Sequence, residues 1–163
     1  DLDEIIRTSV RKYARQFIAK KISLSYEPVE TTVITDKKWL SFVIEQVISN
    51  AVKYTKTGGI KIYLEDGDGT MSVPVQKASH RKEDDGENSG MKSVRLVIED
   101  TGIGIRAEDL PRICEMGYTG CNGHEGQHSS GIGLYLCRRI LKKLGHTFSI
   151  TSKEGVGTVV KIG

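Results

Sequence analysis

The sequence predicts an α/β sandwich, a sheet packed under three helices, and three observations carry that class. Apolar residues recur at three- and four-residue spacing from Leu2, from Trp39 and from Leu134, as in helices with one buried face. Between and after these stretches, short runs alternate apolar with polar residues, the period of a strand with one buried face. Glycine turns and proline stops separate the runs, and 163 residues suffice for one continuous core. The expectation is a single domain over residues 1–163.

Composition narrows the function classes. Hydrophobic content of 37% and charged content of 28% fit a globular chain. A net charge of +3 is compatible with anionic ligands and too small to argue for nucleic acid. No apolar run approaches the roughly 18–20 residues of a membrane span, and no signal peptide opens the chain. Cys114, Cys121 and Cys137 make an odd count without a C-x-x-C pair, which favours reduced thiols in a cytosolic setting. The chain starts inside a helical pattern without an initiator Met, as a fragment of a longer protein would.

In order, the first helix carries Leu2, Ile5, Ile6, Val10, Tyr13, Ala14, Phe17 and Ile18 on its apolar side. Arg7, Arg11, Lys12 and Arg15 form a solvated face opposite. Ile22, Leu24 and Tyr26 alternate as a strand stopped by Pro28. Val33 and Ile34 predict a second short strand ending at Asp36, an N-cap for the next helix. That helix, Trp39 to Tyr54, has a core stripe of Leu40, Val43, Ile44, Val47, Ile48 and Ala51. Gln46, Asn50, Lys53 and Tyr54 form a polar stripe beside it. Polar groups hugging a buried stripe need partners, supplied either by water and caps or by a ligand.

Thr57-Gly58-Gly59 predicts a turn into a strand through Ile60, Ile62 and Leu64. Residues 66–92 are polar and glycine-rich and predict a hairpin insertion, with Met71 to Val75 extending the strand and 80–91 mobile. The central strand follows: Val94, Leu96 and Ile98 alternate with Arg95, Val97 and Glu99. Beyond Asp100, Arg106 to Cys114 predicts a short helix with Pro111 near its start. Gly117 to Gly131 is a glycine-rich loop, and a helix follows through Leu134, Cys137, Ile140, Leu141 and Leu144. Phe148 and Ile150 mark a strand, Gly155 and Gly157 bracket a turn, and Val160 and Ile162 close a last strand.

The central strand ends in the chemistry. A carboxylate fixed at a strand end, Asp100, is a rigid acceptor suited to an exocyclic amine. Gly102 and Gly104 remove side chains where something approaches the backbone or where φ is positive. Gly131-Ile-Gly133 stands at a helix start, where unpaired N–H groups and the positive end of the helix dipole bind phosphate. The loop before it, within residues 106–130, suits a lid. The whole reads as the floor, wall and cover of a nucleotide pocket.

Two other patterns compete. Strand-Gly102-x-Gly104-x-x-Ala107 imitates a dinucleotide fingerprint, but Asp100-Thr101 delay the turn and Pro111 interrupts the helix that should follow. His124-Glu125-Gly126-Gln127-His128 matches H-E-x-x-H, a motif that works on a helix, whereas glycines and serines surround it here. Cys114, Cys121, His124 and His128 are the alternative, a zinc-like set in the lid, weighed against unliganded loop residues.

Asn50-Ala-x-Lys53-Tyr54, Asp100-x-Gly102-x-Gly104 and Gly131-x-Gly133-Leu134, in that order, resemble the catalytic ATP-binding domain of bacterial sensor histidine kinases. These belong to the gyrase, chaperone, kinase and mismatch-repair (GHKL) superfamily. The resemblance runs from Leu2 to Ile162. It implies the Bergerat-type fold: a two-layer sandwich with a mixed, mostly antiparallel sheet under three helices. Arg112 to Gly120 and Gly131 to Cys137 look like the lid of short-input kinases that sense peptide antibiotics in Gram-positive bacteria.

The resemblance implies ATP and Mg²⁺ as cofactors and a role at each matching position. Asn50 would coordinate Mg²⁺ and Lys53 would contact a phosphate. Tyr54 would stack on adenine and Asp100 would accept from its N6 amine. Gly102, Gly104 and Ile105 would shape the base pocket, and Gly131, Gly133 and Leu134 would border the phosphates. Thr158, in a last glycine box with Gly157, would lie on the Asp100 side. Mg²⁺ takes oxygen ligands and keeps several waters, so one Asn plus phosphates suffices.

Departures accompany the match. Gln46 stands where many relatives have Asn and where superfamily ATPases have a catalytic Glu. Glu45 is one residue off, turned by about 100° on an ideal helix. That exchange favours phosphoryl transfer to a protein acceptor, with Gln46 and Asn50 as the catalytic-site pair, over ATP hydrolysis. Cys114 replaces a usual Phe. None of His80, His124, His128 or His146 has an acceptor context. The implied partners are therefore dimerisation and phosphoacceptor helices before Asp1 and a response regulator. The parent would be a bacterial membrane protein with this domain in the cytoplasm.

Overall fold

The structure, a computed structural model, describes residues 1–28, 31–67, 93–119 and 131–163. In chain order these form α1 (Leu2–Lys20), β1 (Ser23–Tyr26), α2 (Lys37–Tyr54), β2 (Gly59–Asp66), β3 (Val94–Asp100), α3 (Gly133–Leu144), β4 (Phe148–Lys153) and β5 (Gly157–Ile162). A 3-10 turn, Leu110–Arg112, contains Pro111. The five strands make one sheet in the order β1-β2-β3-β5-β4. β1 runs parallel to β2 and the other three pairings are antiparallel, so the predicted mixed, mostly antiparallel sheet under three helices is the fold.

Local chemistry sets the helix ends. Asp1 accepts from the N–H groups of Asp3 and Glu4, and Asp36 accepts from Trp39 N–H at 3.0 Å, each satisfying donors of a first turn. Gly145, at φ 77°, ends α3 in the left-handed conformation that glycine adopts without strain. The helices share one core with the sheet: Ile6, Ile44 and Ile48 are fully buried against Ile60, Ile62 and Ile98. Each such side chain contributes about 2 kcal/mol by leaving water. Helix α2 lies between α1 and α3, which places its polar stripe at the α3 side of the sheet.

Three expectations need correction. Val33 and Ile34 form no strand, and Ile34 is 93% exposed. Two residues cannot close a ladder, and the chain there is held by Leu2 N–H donating to Thr31 carbonyl oxygen. Ala14 and Ile18 lie outside the buried side of α1. Strand β3 is buried on both faces at its middle: Val97 points away from the helices yet is fully buried, between Tyr63 on β2 and Lys161 on β5 in register. Beside it, buried Glu65 accepts from Lys161 Nζ at 2.8 and 2.9 Å and pairs with Arg95 at 3.5 Å. The insertion beyond Gly67 and the lid beyond Thr119 lie outside the described residues, as do Met71 to Val75.

Candidate nucleotide site

One cavity of about 290 Å³ opens between α2, the helix-facing side of β3, β4 and β5, the start of α3, and the segment after β3. Helix α2 contributes Gln46, Asn50, Lys53 and Tyr54, so the polar stripe faces this space. Asp100 comes from the end of β3 and Thr158 from β5 beside it, the two being direct cross-strand partners. Gly104, Ile105, Gly131, Gly133 and Leu134 close the opposite side. Of the residues expected at the site only Gly102 is not in the lining; it lies beneath Asp100 and is buried.

Asp100 is held rigidly. Its carboxylate accepts from Gly102 N–H at 2.8 Å, and the backbone N–H of Thr158 also donates to it. Burial pushes the carboxyl above the ordinary carboxylate range; these two N–H groups offset part of that and neighbouring Glu99 adds to it. Around Gly102 the packing leaves no room for a side chain: a Cβ there would lie 2.6 Å from Tyr54 carbonyl oxygen and 2.8 Å from Asp100 Oδ1. Gly104 is required twice over, by φ of 70° and by Lys153 carbonyl oxygen 2.1 Å from where a Cβ would sit. Ser152 Oγ accepts from Ile105 N–H and bonds Thr158 Oγ1, tying this loop to β4 and β5.

At the other end, α3 begins at Gly133 with no side chain capping it among the described residues, which leaves first-turn N–H groups available to an anion. Gln46 Oε1 reaches to 2.7 Å from the position of a Gly133 Cβ, so this side chain stands between α2 and the α3 terminus. Glu45 is turned away as the helix geometry predicts: it pairs with Lys12 of α1. Lys53 Nζ lies 5.0 Å over the Tyr54 ring, a cation–π contact that a base stacking on that face would displace.

Sequence reasoning missed part of the wall. Asp109, Ile113, Tyr118 and Thr119 line the cavity from the described base of the lid segment, and Ile98, Ile150 and Val160 supply its apolar floor. Asp109 is buried and accepts a hydrogen bond from Tyr118 hydroxyl, while Arg112 stacks 4.4 Å over the Tyr118 ring. Gly117 N–H donates to Gly131 carbonyl oxygen at 3.0 Å, which brings the two ends of the loop together. No local pattern announces these contacts; only the glycines flanking Tyr118 hinted at a turn. Cys121, His124 and His128 of the zinc alternative lie outside the described residues, and among those described no three His, Cys, Asp or Glu side chains cluster as metal ligands.

Comparison with known proteins converges on one family. Residues 35–163 match the family described as histidine kinase-, DNA gyrase B-, and HSP90-like ATPase. Among curated relatives, the sensor histidine kinase YxdK of Bacillus subtilis (strain 168) is 33% identical over 98% of this chain, which spans 43% of that protein. Among solved structures, the nucleotide-free catalytic domain of histidine kinase ThkA superposes with a TM-score of 0.71 at 22% identity, covering 99% of this chain and 90% of that one. Full-length ShkA in complex with AMPPNP gives a TM-score of 0.70 at 19% identity, covering 99% of this chain and 29% of that one. Fold and sequence agree, and the chain belongs to the histidine kinase-, DNA gyrase B- and HSP90-like ATPase family.

Proposed function

We propose that this domain binds Mg-ATP and presents the γ-phosphate to a histidine outside the chain, as the catalytic part of a two-component sensor kinase. The observation that carries the reading is Asp100: a half-buried carboxylate, fixed by two backbone N–H groups, on the floor of a cavity whose other end is the open N-terminus of α3. An amine donor at one end and an anion at the other describe an adenine nucleotide.

The donor set fits a hard cation. Asn50 offers one amide oxygen on the wall between Asp100 and the α3 terminus, and Mg²⁺ bound by it and by phosphates keeps its remaining waters. Such an ion supplies charge neutralisation at the transferred phosphoryl group. The chain's own residues do the positioning. Asp100 accepts from the base amine, Tyr54 offers a ring face, and Lys53 swings from that ring towards phosphate. The α3 N–H groups receive phosphate oxygens, and the apolar floor of Ile98, Ile150 and Val160 excludes water from the base.

Gln46 cannot serve as a general base and Glu45 is occupied by Lys12, which favours transfer to a protein acceptor over hydrolysis. The parent would add dimerisation helices with the acceptor histidine, a membrane anchor and a response regulator. Residues 106–130 would act as the lid and 66–92 as an insertion in the connection from β2 to β3. Calorimetric titration with ATP, with and without Mg²⁺, is the test. Saturable binding strengthened by Mg²⁺ is expected, with little phosphate release. Absence of binding would leave a docking module, and steady release would point to an ATPase.

A further inference from the structure

Lys20, the last residue of α1, does not line the cavity, yet its ammonium is built into the end of α2. Lys20 Nζ donates to the carbonyl oxygens of Val52 at 2.6 Å, Lys53 at 3.0 Å and Thr55 at 3.4 Å. The reason lies in how α2 stops. A helix leaves its last four carbonyls without intrahelical donors, and many helices satisfy them by a left-handed glycine turn. Here the residue after the helix is Thr55, which is extended at φ −95° and ψ 113°, so that device is missing. Thr55 N–H takes Ala51 carbonyl oxygen, Ile103 N–H takes Tyr54 carbonyl oxygen at 3.1 Å, and Lys20 takes the two between.

Those bonds join three segments at one point. Tyr54, which lines the cavity, is bracketed by the carbonyls Lys20 holds. Its own carbonyl receives the loop that follows Asp100, and that same carbonyl oxygen packs against Gly102, whose N–H fixes the Asp100 carboxylate. Lys20 itself has its pKa lowered by burial, with Lys56 nearby adding to the effect, consistent with an ammonium sunk among carbonyls. The geometry of the base end of the pocket is therefore set partly from α1. The phosphate end, at Gly133, shares none of these bonds.

We infer that Lys20 is a positioning residue for base recognition, holding Tyr54 and the Asp100 loop in the register that an adenine ring fits. The inference rests on the nucleotide-binding reading above, and it makes a claim that a general packing role does not. Loss of the ammonium should weaken binding of ATP more than binding of GTP, because either base can use the Tyr54 ring face but only adenine presents its N6 amine to the Asp100 acceptor.

The test is parallel calorimetry of Mg-ATP and Mg-GTP on the wild-type chain, Lys20→Met and Lys20→Arg, each checked for folding by far-ultraviolet circular dichroism. Lys20→Met should bind ATP about tenfold more weakly and lose most of the ATP-over-GTP preference, the size expected for loss of one good hydrogen bond. Lys20→Arg, whose guanidinium can reach the same carbonyls, should restore the preference to within about threefold of wild type. Should Lys20→Met not fold, Lys20→Gln, with an amide too short to span the gap, carries the same expectation. An unchanged preference in a folded variant, or equal weakening of both nucleotides, overturns the inference. A wild-type chain that binds neither nucleotide overturns instead the reading on which it rests.

Discussion

Asp100→Asn is the sharpest perturbation because it changes one oxygen to nitrogen and almost nothing else. The carboxylate now accepts from Gly102 and Thr158 N–H groups and has lone pairs left for a ligand amine. The amide keeps one acceptor. If that oxygen stays with Gly102, the new NH₂ faces either Thr158 N–H or the base amine, donor against donor. A hydrogen bond to a charged acceptor contributes about 1.5–3 kcal/mol, and donor opposition moves the loss towards the upper end, so ATP should bind about 30- to 140-fold more weakly.

The fold should tolerate this change. Burial holds the Asp100 pKa above its unfolded value, so any stability linked to that proton is present at low pH and already lost at neutral pH as the carboxyl ionises. Removing the charge then offsets the lost backbone bond, and Tm should move by no more than about 4 °C, roughly 1 kcal/mol for a chain of this size. The assay is ATP calorimetry at neutral pH beside a thermal melt. A second signature follows from the same shift. Wild-type affinity for adenosine should fall on acidification at a higher pH than an ordinary carboxylate would give, and that component should be absent in Asp100→Asn. ATP affinity within threefold of wild type in a variant with an unchanged melt would refute the reasoning.

Gly104→Ala combines a strained φ with a backbone collision against Lys153, so it should destabilise by about 3 kcal/mol and lower Tm by about 6–12 °C. Lys21→Gly should act oppositely: Lys21 is the one non-glycine residue at positive φ among those described, and relieving it, less the greater freedom of the unfolded chain, should stabilise by about 0.5–1 kcal/mol in a denaturant titration. Glu65→Gln should cost about 2 kcal/mol by the same measurement, since Lys161 is a third exposed and recovers some hydration. The pair Glu65→Leu with Lys161→Met should return to within about 1 kcal/mol of wild type, as replacement of a buried ion pair by apolar groups often does.

Much of the architecture was legible because it is written locally. The α2 stripe, Leu40 to Ala51, is buried throughout, and Asp36 caps that helix as its position suggested. Asp100, Gly104 and Gly133 stood out because a strand end, a strained turn and a helix start each demand particular residue types. What could not be read depends on partners distant in sequence. Val97 looks like a half-exposed strand residue until Tyr63 and Lys161 arrive on either side. Val33 and Ile34 look like a strand until the sheet offers them no neighbour. Asp109 and Tyr118 meet across nine residues of irregular backbone, and Lys20 finds its carbonyls 32 to 35 residues away. None of these pairings has a period.

The most direct measurement is a crystal structure of the chain with Mg-bound ATP or a non-hydrolysable analogue. The expected result has the adenine amine within about 3.2 Å of the Asp100 carboxylate and the phosphates at the N-terminus of α3. A nucleotide bound with its base outside this cavity, or with the amine directed away from Asp100, would contradict it.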